Sequence, residues 1–85
     1  MMVTNMEEIT QIIEAINELQ NDTTVPKNIK TKLQSITLIL QLESEGMSTR
    51  VNKALDELEE LSDDANIQSY TRTQLWNIVS LLESI

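Results

Sequence analysis

Eighty-five residues with no Cys and no His exclude a disulfide framework, a thiolate metal site and an imidazole-based catalytic centre. Fourteen acids against six bases leave a net charge of −8. That balance disfavours nucleic acid and anionic membranes as partners, because phosphate affinity comes mainly from Lys and Arg.

The first predicted helix runs from about Thr4 to Asn21. Ile9, Ile12, Ile13, Ile16 and Leu19 recur at spacings of three and four, which lines one face of a helix. Thr4 with Glu7, or Asn5 with Glu8, forms a capping-box pattern at its start. The stretch "DTTVPKNIK" then breaks the pattern with the chain's one proline, Pro26. Proline suits a first helical turn, and it pushes Val25 toward extended backbone. A second helix is expected from about Pro26 to Ser44, with Ile29, Leu33, Ile36 and Leu40 on one face. Gly46 fits the residue just past a helix end. A third helix starts at Ser48 or Thr49 and ends near Leu61, with Val51, Ala54, Leu55, Leu58 and Leu61 as its stripe. "SDDANIQS" is the next break. The last helix runs from Ser69 or Tyr70 to the C-terminus on Leu75, Ile78, Val79 and Leu82.

Short connections and four aliphatic stripes predict an all-α, up-and-down four-helix bundle forming a single domain over residues 1–85. Two similar helical hairpins are a further expectation. Shifting residues 22–43 by 42 places Asp22 on Asp64, Thr31 on Thr73, Leu33 on Leu75, Ile36 on Ile78 and Leu40 on Leu82. Val25 then meets Ile67 and Lys30 meets Arg72. "AINEL" resembles "ALDEL" with a three-residue slip. The alternative is that any two amphipathic helices match at apolar positions.

In such a bundle, the starts of helices two and four share an end with the finishes of helices one and three. Helix three finishes in the acidic "DELEELSDD", the wrong sign for a helix C-terminus. Lys27, Lys30 and Arg72 are the wrong sign for helix starts. Each misfit is expected to relieve the other across the bundle end. The functional reading of the same residues is an anion site, with helix-start N–H groups beside Lys27, Lys30 and Arg72.

One glycine excludes a P-loop or dinucleotide fingerprint. "SDDAN" lacks the glycine and terminal Glu of a calcium loop. No spacing singles out a nucleophile with a base, so no catalytic residue, metal or cofactor is expected, and the protein reads as a non-enzyme. "ITLILQL" is too short to span a membrane, and "MMVTNMEE" lacks the basic and apolar regions of a signal peptide. A cytoplasmic protein is the expectation.

"DTTVPKNIK" and "YTRTQLWNIVSLLESI", the latter centred on Arg72, Thr73 and Trp76, resemble a family of small archaeal proteins known only as uncharacterised. The likeness covers the whole chain. It implies a four-helix bundle in an archaeal cytoplasm, and it implies no activity. Members often carry proline at the position of Gln68, so the resemblance implies a looser second break here.

Excess apolar surface gives the leading functional expectation, a non-enzymatic protein-interaction or assembly module. At about 100° per residue, Leu38 lies opposite the stripe of helix two and Leu42 lies well off it. Trp76 and Leu81 flank the stripe of helix four on opposite sides. Leu38, Leu42, Trp76 and Leu81 are therefore candidates for an interface with another protein or a second copy, centred on helix two and joined by helix four. The alternative is a nucleic-acid or ribonucleoprotein accessory. It would use Lys27, Lys30, Lys32 and Arg72 as a small basic face, with Tyr70 and Trp76 as stacking groups. No small-molecule ligand is evident from the residues.

Overall fold

Each of the four stripes becomes a helix. The computed structural model describes residues 5–85. Its elements are α1 (Asn5–Gln20), α2 (Lys27–Gln41), α3 (Met47–Ser62) and α4 (Ser69–Glu83). The capping-box pairs Thr4–Glu7 and Asn5–Glu8 involve side chains outside those described.

α1 packs on α2 and α4, and α3 packs on α2 and α4, while the diagonal pairs α1–α3 and α2–α4 do not meet among the described residues. With short connections, this is a closed ring of antiparallel neighbours, the expected four-helix bundle. The stripes meet on its axis. Ile16, Leu33, Ile36, Leu40, Ala54, Leu58, Leu75 and Leu82 are fully shielded from solvent. Ile13 and Leu55, at the stripe edges, are partly buried against this core.

Two boundaries differ from the sequence expectation. α2 stops at Gln41 rather than near Ser44, because Leu42 turns extended at φ −78° and ψ 94°. Gly46 is not a left-handed helix terminator. It is the N-cap of α3 at φ −65° and ψ 158°, and no described residue has a positive φ. Nothing approaches within 4 Å of the place where a Cβ would sit on Gly46. Its backbone and its surroundings would therefore admit a side chain.

The repeat extends to every helix. An offset of 42 residues carries Asn5–Gln20 onto Met47–Ser62 and Lys27–Gln41 onto Ser69–Glu83. The first and third connections share two turn bonds, and the first adds one from the Thr24 hydroxyl to Asp22. Asp22 Oδ1 accepts from the Thr24 N–H at 2.9 Å, and Asp64 Oδ1 accepts from the Asn66 N–H at 2.8 Å. The Val25 N–H donates to the Asp22 carbonyl, as the Ile67 N–H does to that of Asp64. These side-chain turns reverse the chain without glycine. Val25 and Ile67 drop into the core between the helices. The three-residue slip is corrected. At the uniform offset "AINEL" faces "ELEEL", and the buried pairs are Ile16 with Leu58 and Leu19 with Leu61. A slip of three is nearly one helical turn, so the apolar pattern tolerates it.

The halves are not equal inside. Thr71 stands where the first hairpin has Ile29, and both are buried. The hydroxyls of Thr31, Thr37 and Thr73 each donate to the carbonyl four residues back. The Thr71 hydroxyl is buried with no hydrogen-bond partner. An unpaired buried hydroxyl costs about 1–3 kcal/mol. Thr71→Val keeps the shape and removes the group, so it is expected to raise unfolding stability by about 1 kcal/mol. Urea denaturation checks this, and a loss of stability would show that the hydroxyl is satisfied.

Gln68 caps α4 at φ −75° and ψ 157°, close to Pro26 at φ −59° and ψ 150° on α2. The second break therefore holds a proline-like backbone without proline. Gln68→Pro is expected to stabilise by about 0.4–1 kcal/mol by restricting the unfolded chain. A lower thermal midpoint would mean that the Gln68 N–H is needed.

Candidate functional site

α2 buries Ile29, Leu33, Ile36 and Leu40. The opposite direction on the helix belongs to Lys27, Thr31, Leu38 and Leu42, edged by Gln34 and Ser35, and all six are exposed. Leu38 is 68% exposed and Leu42 47%. No Asp or Glu lies in α2, whereas α1 carries Glu7, Glu8, Glu14 and Glu18 and α3 carries Asp56, Glu57, Glu59 and Glu60. The outward face of α2 is thus an apolar stripe, basic at one end, on an acidic molecule.

α4 is built differently. Its outermost positions are the small polar residues Ser69, Thr73, Asn77, Ser80 and Ser84, all exposed. Trp76, 52% exposed, and Leu81, 40% exposed, lie on opposite flanks of that line. α2 and α4 are diagonal in the ring. Their outward faces therefore point in opposite directions. The structure brings Leu38 and Leu42 together and sets Trp76 and Leu81 apart from them and from each other. Tyr70 is also exposed. Its exposure on α4 follows from the same wheel as Trp76, although the sequence reading used it only as a stacking group.

The basic residues have separate fates. Arg72 reaches back across the second break. Its Nε donates to the Ser62 carbonyl at 2.9 Å and its Nη2 to the Asp64 carbonyl at 3.0 Å. A cation thus covers the negative end of α3, the favourable sign, through backbone carbonyls rather than acidic side chains. Lys32 approaches Glu60 on α3 at 4.0 Å. Lys27 lies on the outward stripe of α2. Lys30 sits on the flank toward α1, where the Gln20 amide donates to its carbonyl at 3.2 Å.

Between α1, the end of α2 and the start of α3 lies a cleft of about 320 Å³. Ile9, Ile13, Leu40 and Met47 line it, with Gln41, Glu43 and Arg50 among its polar residues. Arg50 is anchored there by its Nη1 donating to the Leu40 carbonyl at 2.9 Å, and its Nε is buried without a partner. Among the described residues no three carboxylates converge to hold a metal ion. Among the described residues no helix is long and apolar enough to cross a membrane.

One titrating group stands out. The Thr24 hydroxyl, the Thr24 N–H and the charge of Lys30 hold the Asp22 carboxyl below its usual range, in that order of effect. A depressed carboxylate pKa supports the fold above its unfolded value of about 3.9. That support is lost as pH falls through the folded value. NMR titration is expected to place Asp22 below the ordinary carboxylate range, and Thr24→Val should move it upward. An unmoved midpoint would show that the Thr24 hydroxyl does not hold the anion.

The whole chain, residues 1–85, matches the model of the family described as Uncharacterised protein family (UPF0147). A UPF0147 protein of Methanosarcina acetivorans is 37% identical over 93% of this chain and 81% of its own. The UPF0147 protein PF0239 of Pyrococcus furiosus is 37% identical over 99% of this chain and 92% of its own. Two crystal structures share the fold. The protein of unknown function MMP1188 is 33% identical with a TM-score of 0.93, covering 100% of this chain and 97% of that one. The UPF0147 protein from Thermoplasma acidophilum is 32% identical with a TM-score of 0.87, covering 93% of each. Matched over residues 1–85 by the family model and over most of its length by archaeal relatives, the chain belongs to the uncharacterised protein family UPF0147.

Proposed function

We propose that this chain is a non-catalytic protein-interaction or assembly module of the archaeal cytoplasm, and that it engages its partner through the outward stripe of α2. The observation that carries this reading is Leu38, 68% exposed on the helix without acids, with the 47% exposed Leu42 just past the end of that helix. Burying a Leu side chain gains about 1.5–3 kcal/mol. A partner that covers this stripe recovers that free energy, and the polar outward line of α4 offers no counterpart. The nucleic-acid alternative finds less support. Lys30 and Lys32 lie on opposite flanks of α2, and Arg72 is engaged with carbonyl oxygens.

The test compares wild type with the double variant Leu38→Glu, Leu42→Glu. Both are expected to give the same helical circular dichroism and similar thermal midpoints, because neither leucine is core. Cross-linking in native cell extract should join wild type, and not the variant, to a defined set of proteins, which includes this chain if it self-associates. An unfolded variant would make Leu38 a core residue. An unchanged set would remove α2 as the interface.

A further inference from the structure

Independently of what covers α2, we infer that the cleft between α1, the end of α2 and the start of α3 binds a carboxylate carried on a short aliphatic body, with Arg50 as the group that holds it. Two arginines of this chain each reach back ten residues to a backbone carbonyl. Arg72 places its Nε on the Ser62 carbonyl and its Nη2 on the Asp64 carbonyl. Nε and Nη2 form the edge of a guanidinium that meets a carboxylate with two parallel bonds. On Arg72 the backbone takes up that edge. Arg50 uses Nη1 instead, on the Leu40 carbonyl. Its Nε is buried without a partner, so the fold does not satisfy the carboxylate-binding edge. Buried N–H groups are nearly always paired, and one that the chain leaves unpaired favours an acceptor brought from outside. Arg50 is only part-buried. Its guanidinium can therefore turn this edge toward the cleft while Nη1 keeps the carbonyl.

The rest of the lining selects the ligand. Ile9, Ile13, Leu40 and Met47 share the lining with Arg50 and would cover an aliphatic body. The cleft holds about 320 Å³, at the small end of ligand pockets, which span roughly 300–1,000 Å³. That suits a branched acid of about five or six carbons better than a nucleotide or a lipid. Arg50 lies in the opening turn of α3, which carries no acid and receives no side-chain cap from Gly46. A bound anion there has the favourable sign for the helix dipole. The acids closest in sequence do not neutralise Arg50 among the described residues. Glu45 is taken by Lys53 at 2.7 Å. Glu43 is exposed on the cleft lining and forms no ion pair. Glu43 offers its carboxylate to a ligand that also carries an ammonium group. The two sources of this ligand chemistry are thus a simple branched acid and an aliphatic amino acid.

The probes are isovalerate, L-leucine and acetate, titrated into the full chain and followed by NMR at the Arg50 Nε–H and at the Ile13 and Met47 methyl groups. Isovalerate or L-leucine is expected to move all of these signals with one midpoint of about 1–10 mM. Acetate has the charge without the aliphatic body and is expected to bind at least about tenfold more weakly than isovalerate. Arg50→Lys keeps the charge and loses the two-pronged edge, so it is expected to weaken binding by about tenfold. L-leucine as the tighter ligand, weakened by Glu43→Gln, would assign an amino acid. Isovalerate as the tighter ligand would assign a simple acid. No saturable shift with either at about 50 mM would overturn the inference. Equal midpoints for acetate and isovalerate would overturn it too, as would an Arg50→Lys chain that binds as well as wild type. Should Arg50→Lys fail to fold, the wild-type titrations still decide.

Discussion

Each connection in this bundle is closed by one hydrogen bond between residues ten apart, a side chain reaching a carbonyl at or near a helix end. The Gln20 amide donates to Lys30, Arg50 to Leu40 and Arg72 to Ser62. Such bonds contribute about 0.5–1.5 kcal/mol when neutral and about 1.5–3 kcal/mol when the donor is charged. Their geometric effect is larger than their energy. The chain has one glycine and one proline, so its turns cannot rely on special backbone conformations, and no described residue has a positive φ. Side chains supply the closure instead. Once consecutive helices are tied at their ends, the four stripes face one another and a core can form without large aromatic residues.

The helices were legible because burial and periodicity coincide. The spacing of Ile29, Leu33, Ile36 and Leu40 places them on one face of α2, and all are buried. The connections were less so. Val25 and Ile67 are core residues, yet a five- or six-residue break has no period that reveals which side chain turns inward. Gly46 is ambiguous in sequence because a glycine near a helix end fits both a terminator and an N-cap, and only the dihedrals separate them. Of the candidate site, the exposure of Leu38 and Leu42 followed directly from helix geometry. The split between α2 and α4 did not, because a wheel drawn for one helix carries no information about which helix stands diagonal to it. The destination of Arg72 was hidden for another reason. Sequence displays charges and not backbone carbonyls, so the acids of α3 looked like the natural partner when the helix end itself was.

The two hairpins share a frame and differ in content. Ile12 and Ile29 correspond to Ala54 and Thr71, so the first hairpin fills more of the shared interior. The connections kept their aspartates, Asp22 and Asp64, with the same N–H groups bound. Backbone geometry is thus more alike between the halves than side-chain volume is. That is the expected order when a turn admits few solutions and a core admits many.

The same divergence sets a limit on valence. In a molecule with matching halves, any sticky outward line on α2 would recur on α4, facing the other way. Molecules with two such faces would join end over end into chains of indefinite length. Here the places of Leu38 and Leu42 are taken in the second half by Ser80 and Ser84. The first half thus carries an apolar outward line and the second a small polar one. Under the reading of α2 proposed above, attachment through that line would leave no equivalent line on the far side from which a chain of molecules could grow.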